Sequence, residues 1–112
     1  MIPLSIKHFL VASIWKMNVG NEANAVAMDE MIKNDIKPVI SAAPGFLEAK
    51  RTVCKSEWAY ECFFVFDGLD NFKAWKESDA YKSVMEKSPD NFNKLGMKIE
   101  DAYNGARVYD TI

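Results

Sequence analysis

Phe66-Asp67-Gly68-Leu69-Asp70-Asn71-Phe72-Lys73-Ala74-Trp75-Lys76-Glu77-Ser78-Asp79-Ala80-Tyr81-Lys82 is the stretch that decides the fold. Asp67-Gly68 ends an aromatic run, and Asp70 is placed to cap a short helix that turns Phe72 and Trp75 inward at i, i+3. Ser78 or Asp79 then caps a second helical piece with Tyr81, Val84 and Met85 on its inner side. A strand that feeds a broken helix needs a sheet beneath it, so the flanking sequence has to supply more strands.

Upstream, residues 58–66 alternate cleanly. Trp58, Tyr60, Cys62, Phe64 and Phe66 form a wholly apolar or aromatic face, and Ala59, Glu61, Phe63 and Val65 form the other. Residues 46–54 read as a second strand, with Leu47, Ala49 and Val53 opposite Glu48, Lys50 and Thr52. Residues 37–45 are an irregular connection with one helical turn at 39–42. Before it, Asn21 caps a helix whose buried stripe uses Ala23, Val26, Ala27 and Met31 and which ends near Asn34-Asp35. Residues 6–15 form the first strand. Ile6, His8, Leu10, Ala12 and Ile14 share the face turned to the helices, and Lys7, Phe9, Val11, Ser13 and Trp15 share the other.

Downstream, Ser88-Pro89 opens one more turn, since proline is tolerated at the first helical position. Residues 97–109 are extended. Asn104-Gly105 fits either a two-residue hairpin turn or a single strand with a glycine bulge, and the single strand is preferred because the arms of a hairpin would be short.

The order βαββαβ, without repeats or linkers, predicts one α+β, ferredoxin-like domain over residues 1–112: a four-stranded antiparallel sheet with both helices on one face. The bare face would then carry Phe9, Val11, Trp15, Phe63 and Val65, too large an apolar patch for a monomer to leave wet. A homodimer through the open sheet face, stacking two sheets into an α+β barrel, covers it.

Charge and composition exclude several classes. A net charge of −2, with Lys50-Arg51 the only adjacent basic pair, argues against a nucleic-acid partner. No apolar run approaches the roughly 20 residues of a membrane span, and the N-terminus lacks the pattern of a secretory leader, so a cytoplasmic protein with no membrane partner is expected. Cys54 and Cys62 are offset along the 46–54/58–66 hairpin beyond disulfide reach, so both are read as reduced thiols. With one histidine in the chain, a Cys/His zinc site lacks ligands. No glycine-rich phosphate loop is present.

The remaining candidates gather around a pocket between helices and sheet. His8 is a candidate base or a satisfied core histidine. Trp75 and Tyr81 flank the helix break at Ser78, and Tyr60 faces the same space. A pocket of His8, Leu10, Tyr60, Phe64, Trp75, Tyr81 and Met85 would suit a small, mainly hydrocarbon ligand with one polar group. The bland alternative is that these aromatics simply fill the core. Glu61, on the opposite face, is read as an ion pair with Lys7 or Arg51. Cys62 is read as an inert buried thiol.

With these residues in view, the chain resembles the dimeric α+β barrel superfamily, and most nearly its antibiotic biosynthesis monooxygenase branch. Pro44-Gly45-Phe46 resembles the Pro-Gly-Phe that opens the second strand there. Residues 72–82 resemble its Phe-x-x-Trp-x-x-Ser-x-x-Phe/Tyr helix. Ile6-Lys7-His8 is similar to the opening of the stress-responsive A/B barrel proteins, whose strand-one histidine faces a pocket. The helical histidines of that branch are replaced by Ser78-Asp79-Ala80-Tyr81. Met85 stands where haem-degrading members carry an axial histidine, and Ala12 or Ser13 stands where they carry an asparagine, so haem degradation is not expected. The resemblance implies a cofactor-independent monooxygenase, with no metal or flavin, acting on a fatty-acid-like or aromatic polyketide-like molecule. His8 would be its base, with Trp75 and Tyr81 orienting the substrate. The alternative is a non-catalytic ligand-binding or stress-related barrel protein.

Overall fold

The structure is a computed structural model and describes residues 9–109. Strands β1 (Leu10–Asn18), β2 (Phe46–Cys54), β3 (Ala59–Phe66) and β4 (Tyr103–Tyr109) form one sheet in the order β2-β3-β1-β4. Every neighbouring pair is antiparallel. Helix α1 (Glu22–Met31) runs through a π-helical turn (Ile32–Ile36) into α2 (Lys37–Ile40); α3 (Leu69–Glu77) and α4 (Asp79–Lys94) follow β3. The helices pack on one face of the sheet, which is the ferredoxin-like α+β arrangement.

The phase of β1 is the reverse of the sequence expectation. Trp15 lies opposite Cys62 and Met17 opposite Tyr60, so the odd residues of β1 share the face of the even residues of β3. Phe9, Val11, Trp15 and Met17 therefore pack under the helices. Leu10, Ala12 and Ile14 face outward, with Ala12 and Ile14 clustering with Phe63 and Val65. Both faces of this strand are apolar, so alternation alone did not settle its phase. The face that carries the larger side chains took the deeper core, with Trp15 packing against Phe92 at 6.4 Å between ring centroids.

Strand β2 starts as expected at Phe46, and a bulge at Leu47 brings both Phe46 and Ala49 to the helix side. Arg51, opposite Cys62, faces the helices too. It pairs with Asp29 of α1, while Glu61 on the outer face is paired with Lys16 at 3.6 Å. Glu61, expected to pair with Lys7 or Arg51, thus pairs with Lys16, and Arg51 pairs with Asp29.

Strand β4 is a single strand in unbroken register against β1, neither hairpin nor bulge. Gly105 leaves room for Tyr103: a Cβ there would fall 2.3 Å from the Tyr103 hydroxyl. The tyrosine ring crosses the glycine, which is itself paired with Ile14, and takes Lys16 and Arg107 against its face at 5.9 and 5.5 Å.

Asn21 caps α1 by accepting a hydrogen bond from the Asn24 amide at 2.8 Å. The buried residues of α1 are Ala25 and Met28, and Val26 is exposed, which displaces the expected stripe. Helix α4 continues through Pro89 to Lys94 where a new turn was expected. An interior proline costs about 3 kcal/mol. Burial of Phe92 beyond it is worth a comparable amount, and the Ser88 hydroxyl bonds back to the Val84 carbonyl at 2.8 Å.

Candidate functional site

A cavity of about 50 Å³ lies between the helices and the inner face of the sheet. Its floor is Ser13, Trp15 and Met17 of β1 with Cys62 and Phe64 of β3. One wall is Met28, Met31, Ile32, Ile36 and Ile40, running from α1 to α2. The opposite wall is Trp75 of α3 with Tyr81, Val84, Met85, Ser88 and Phe92 of α4.

The aromatic wall is built by the sequence around Ser78. Its hydroxyl donates to the Trp75 carbonyl at 2.6 Å and accepts from the Tyr81 amide at 3.1 Å, so one side chain closes α3 and caps α4. That bridge sets the angle between the helices and brings Trp75 and Tyr81 edge to face, 5.7 Å apart. Trp75 also stacks on Phe66 at 6.3 Å, and Phe66 meets Phe72 edge-on at 5.9 Å. Offset and edge-to-face pairs add roughly 0.5–1.5 kcal/mol each beyond area burial.

The aliphatic wall has a different origin. Met28, Ile32, Ile36 and Ile40 recur every fourth residue. In a straight α-helix such a stripe drifts by about 40° per repeat. The π-helical turn, in which the Lys37 amide bonds to the Ile32 carbonyl, takes up extra residues and keeps the four on the cavity side. Pro38 lies just beyond it and offers no amide to the preceding turn.

Few polar groups reach the cavity. Burial pushes the Cys62 thiol up to about 12, so it stays protonated and inert at neutral pH. The Ser88 hydroxyl is committed to Val84. Four methionines, Met17, Met28, Met31 and Met85, supply flexible, polarisable surface that can repack around a guest. The space as it stands would hold only a few water-sized molecules.

Of the residues expected in the pocket, Phe64, Trp75, Tyr81 and Met85 line it. Tyr60 is buried beside the cavity but does not line it; its hydroxyl donates to Asp29 at 2.6 Å. Leu10 lies on the outer face of the sheet, with Phe63, Val65 and Tyr109. His8 lies outside the described residues.

Asp29, Arg51 and Tyr60 form a cluster that sequence reading missed. Arg51 Nε donates to Asp29 at 2.7 Å, and a second guanidinium nitrogen bonds the other carboxylate oxygen. The Arg51 hydrogen bonds hold the Asp29 carboxyl below its ordinary value, against the raising effect of burial, with Tyr60 helping. Burial and the hydrogen bond to Asp29 push the Tyr60 phenol well above its ordinary range. The three residues come from α1, β2 and β3, so only the sheet register brings them together.

The chain shares its fold with solved structures that include two oxygenases and putative antibiotic biosynthesis monooxygenases. A monooxygenase from the ActVA-Orf6 gene of Streptomyces coelicolor, solved with nanaomycin D, matches with a TM-score of 0.70 at 12% identity, covering 91% of this chain and 88% of that one. SnoaB, a cofactor-independent oxygenase from Streptomyces nogalater, matches with a TM-score of 0.61 at 8% identity, covering 94% of each. An ethyl tert-butyl ether (EthD) family protein from Bacillus halodurans matches with a TM-score of 0.60 at 15% identity, covering 88% and 96%. At these identities the likeness is one of fold. No protein-family model and no curated protein matches the chain.

Proposed function

We propose that the protein binds a small, mainly apolar molecule in the cavity between helices and sheet. The observation that carries this reading is the lining: thioethers, aliphatic chains and aromatic rings around unfilled space, with few polar groups to orient a guest. The functional unit is a homodimer that covers the outer sheet face, where Leu10, Phe63, Val65 and Tyr109 share a shallow depression with the polar β2 residues Glu48, Lys50, Arg51 and Thr52. Two free cysteines fit a reducing, cytoplasmic setting. No helix among the described residues is long and apolar enough to cross a membrane.

Native mass spectrometry of freshly purified protein, followed by organic extraction, tests the reading directly. A dimer carrying an apolar molecule is expected. Titration with that molecule to a hundred times its dissociation constant should raise the melting temperature by about 10 °C. A bare monomer with no ligand-induced shift would overturn both parts.

A second reading, oxidation of the bound molecule without metal or flavin, is favoured by the fold shared with two oxygenases. In it a base removes a proton from an activated CH₂ group. The carbanion reduces dioxygen, and the resulting hydroperoxide collapses to a carbonyl and water, which balances one CH₂ and one O₂. On the family resemblance, His8 is the candidate base, with Trp75 and Tyr81 the candidate orienting residues. His8→Gln should abolish oxygen uptake while leaving ligand binding intact; undiminished uptake removes His8 from the role.

A further inference from the structure

Three cavities are joined through shared lining residues along the seam between the π-helical turn and α4. The innermost is the apolar cavity of about 50 Å³, in whose wall Ile36 and Val84 stand. The same two residues line a neck of about 40 Å³, shared with Val39, Ser83 and the polar residues Asp35, Lys87 and Asn91. Those three polar residues also line an outer groove of about 440 Å³, completed by Asn34, Asp90 and Lys94. Polarity therefore rises outward: hydrocarbon and thioether inside, a mixed neck, and a wholly polar groove.

The seam is also the more easily parted side of the cavity. No side-chain hydrogen bond joins the π-helical turn to α4 among the described residues. Ile36 and Val84 are both half-buried, and each presents aliphatic surface to both the inner cavity and the neck. Asp35 and Lys87 stand on opposite lips of the neck, and neither forms an ion pair among the described residues. One lip offers a hydrogen-bond acceptor and the other a donor, a combination that suits a hydroxyl able to donate to one and accept from the other.

We propose that this seam is both the port of the cavity and the outer half of its binding site. The ligand is then an elongated amphiphile, with its apolar end among the methionines and a neutral hydroxyl-type end between Asp35 and Lys87. The proposal rests on the reading of the cavity as a ligand site and adds the ligand's shape and polarity. The inner cavity is small and apolar, and the residues it shares with the neck, and the neck with the groove, join the three into one path from hydrocarbon to polar surroundings.

The test is calorimetric titration of the full chain with straight-chain alcohols from butanol to octanol, with indole as a compact apolar probe. Affinity should rise roughly three- to fourfold per added methylene, at one alcohol per chain. Ser83 is exposed and lines the neck, so Ser83→Trp fills the neck without disturbing the core. That variant should weaken octanol binding by roughly tenfold or more, while indole, which needs only the inner cavity, keeps its equilibrium affinity but binds more slowly through the narrowed port. Lys87→Trp, at a second exposed position on the neck, provides an independent plug. Octanol binding no tighter than butanol, or unaffected by both plugs while indole binds, overturns the proposal and leaves the cavity reading standing. Failure of indole and of every alcohol to bind overturns both.

Discussion

The two helical connections cover the same face of the sheet and share one cavity, yet they are held in different ways. The α3–α4 connection is locked by Ser78, which bonds to both helices, and by the stacked and edge-on rings of Phe66, Phe72, Trp75 and Tyr81. The α1–α2 connection is anchored at Asp29 and then proceeds through a π-helical turn whose contacts with the cavity are aliphatic. A rigid aromatic wall faces a deformable one. Under the proposed ligand-binding reading, such a pair would let a small cavity admit a guest without unfolding the site, because directional contacts hold one side while dispersion contacts yield on the other.

The largest expected effect falls on the rigid wall. Trp75 is 6% exposed and touches Phe66 and Tyr81, so Trp75→Ala should cost about 3–5 kcal/mol, read as a lower urea midpoint at unchanged slope. Ile36→Val on the facing wall should cost about 0.5–1.5 kcal/mol. Equal losses for the two would break the contrast between the walls.

Next comes the anchor of the deformable wall. Asp29→Ala strands the buried Tyr60 hydroxyl, an unsatisfied group worth roughly 1–3 kcal/mol. Tyr60→Phe in the same background removes the demand and should recover most of the loss. The pair also sets a pH signature. Asp29 has a carboxyl held below its unfolded value of 3.8, so its stabilisation is complete above that value and is lost as pH falls through the lower, folded value. Acid unfolding of Asp29→Asn should therefore be less steep below about pH 4 than that of the parent. Identical acid profiles would show that Asp29 anchors nothing.

What the sequence revealed follows the same division. The aromatic wall was legible because its signals are local: Phe72, Trp75, Ser78 and Tyr81 sit within one short stretch, at helical spacing around a capping serine. The order of elements, the fold class and the inner face of β3 were legible for the same reason. The aliphatic wall was not, because Asn34-Asp35 and Pro38 read as the end of a helix, and a strict four-residue repeat does not fit the α-helical period. Met28, Ile32, Ile36 and Ile40 become one stripe only once the turn widens. The phase of β1 was hidden by apolar residues on both faces. It moved Leu10 out of the site and exchanged Phe9, Val11 and Trp15 for Leu10, Ala12 and Ile14 on the outer face. The Asp29–Arg51–Tyr60 cluster depends on register between strands, which no spacing along the chain encodes.

The smallest expected effect separates two roles of Ser78. As an N-cap alone, its loss in Ser78→Ala should cost about 1 kcal/mol, and glycine should be nearly as good as serine there. As a clasp, it also donates to the Trp75 carbonyl, so Ser78→Gly should itself be costly, falling short of Ser78→Ala only by the difference between the two as caps. Ser78→Asp keeps an acceptor for the Tyr81 amide, and its negative charge suits the start of α4. It cannot donate to the Trp75 carbonyl, which it would instead oppose. A clasp therefore predicts Ser78→Asp less stable than serine, and a cap predicts it equal. Amide exchange at Tyr81 and Lys82 reads the first bond, and the fluorescence of Trp75 in a background of Trp15→Phe and Trp58→Phe reads the second. If Ser78→Asp leaves both unchanged, the angle between α3 and α4 is set by ring packing alone. The rigidity of that wall would then belong wholly to Phe66, Trp75 and Tyr81.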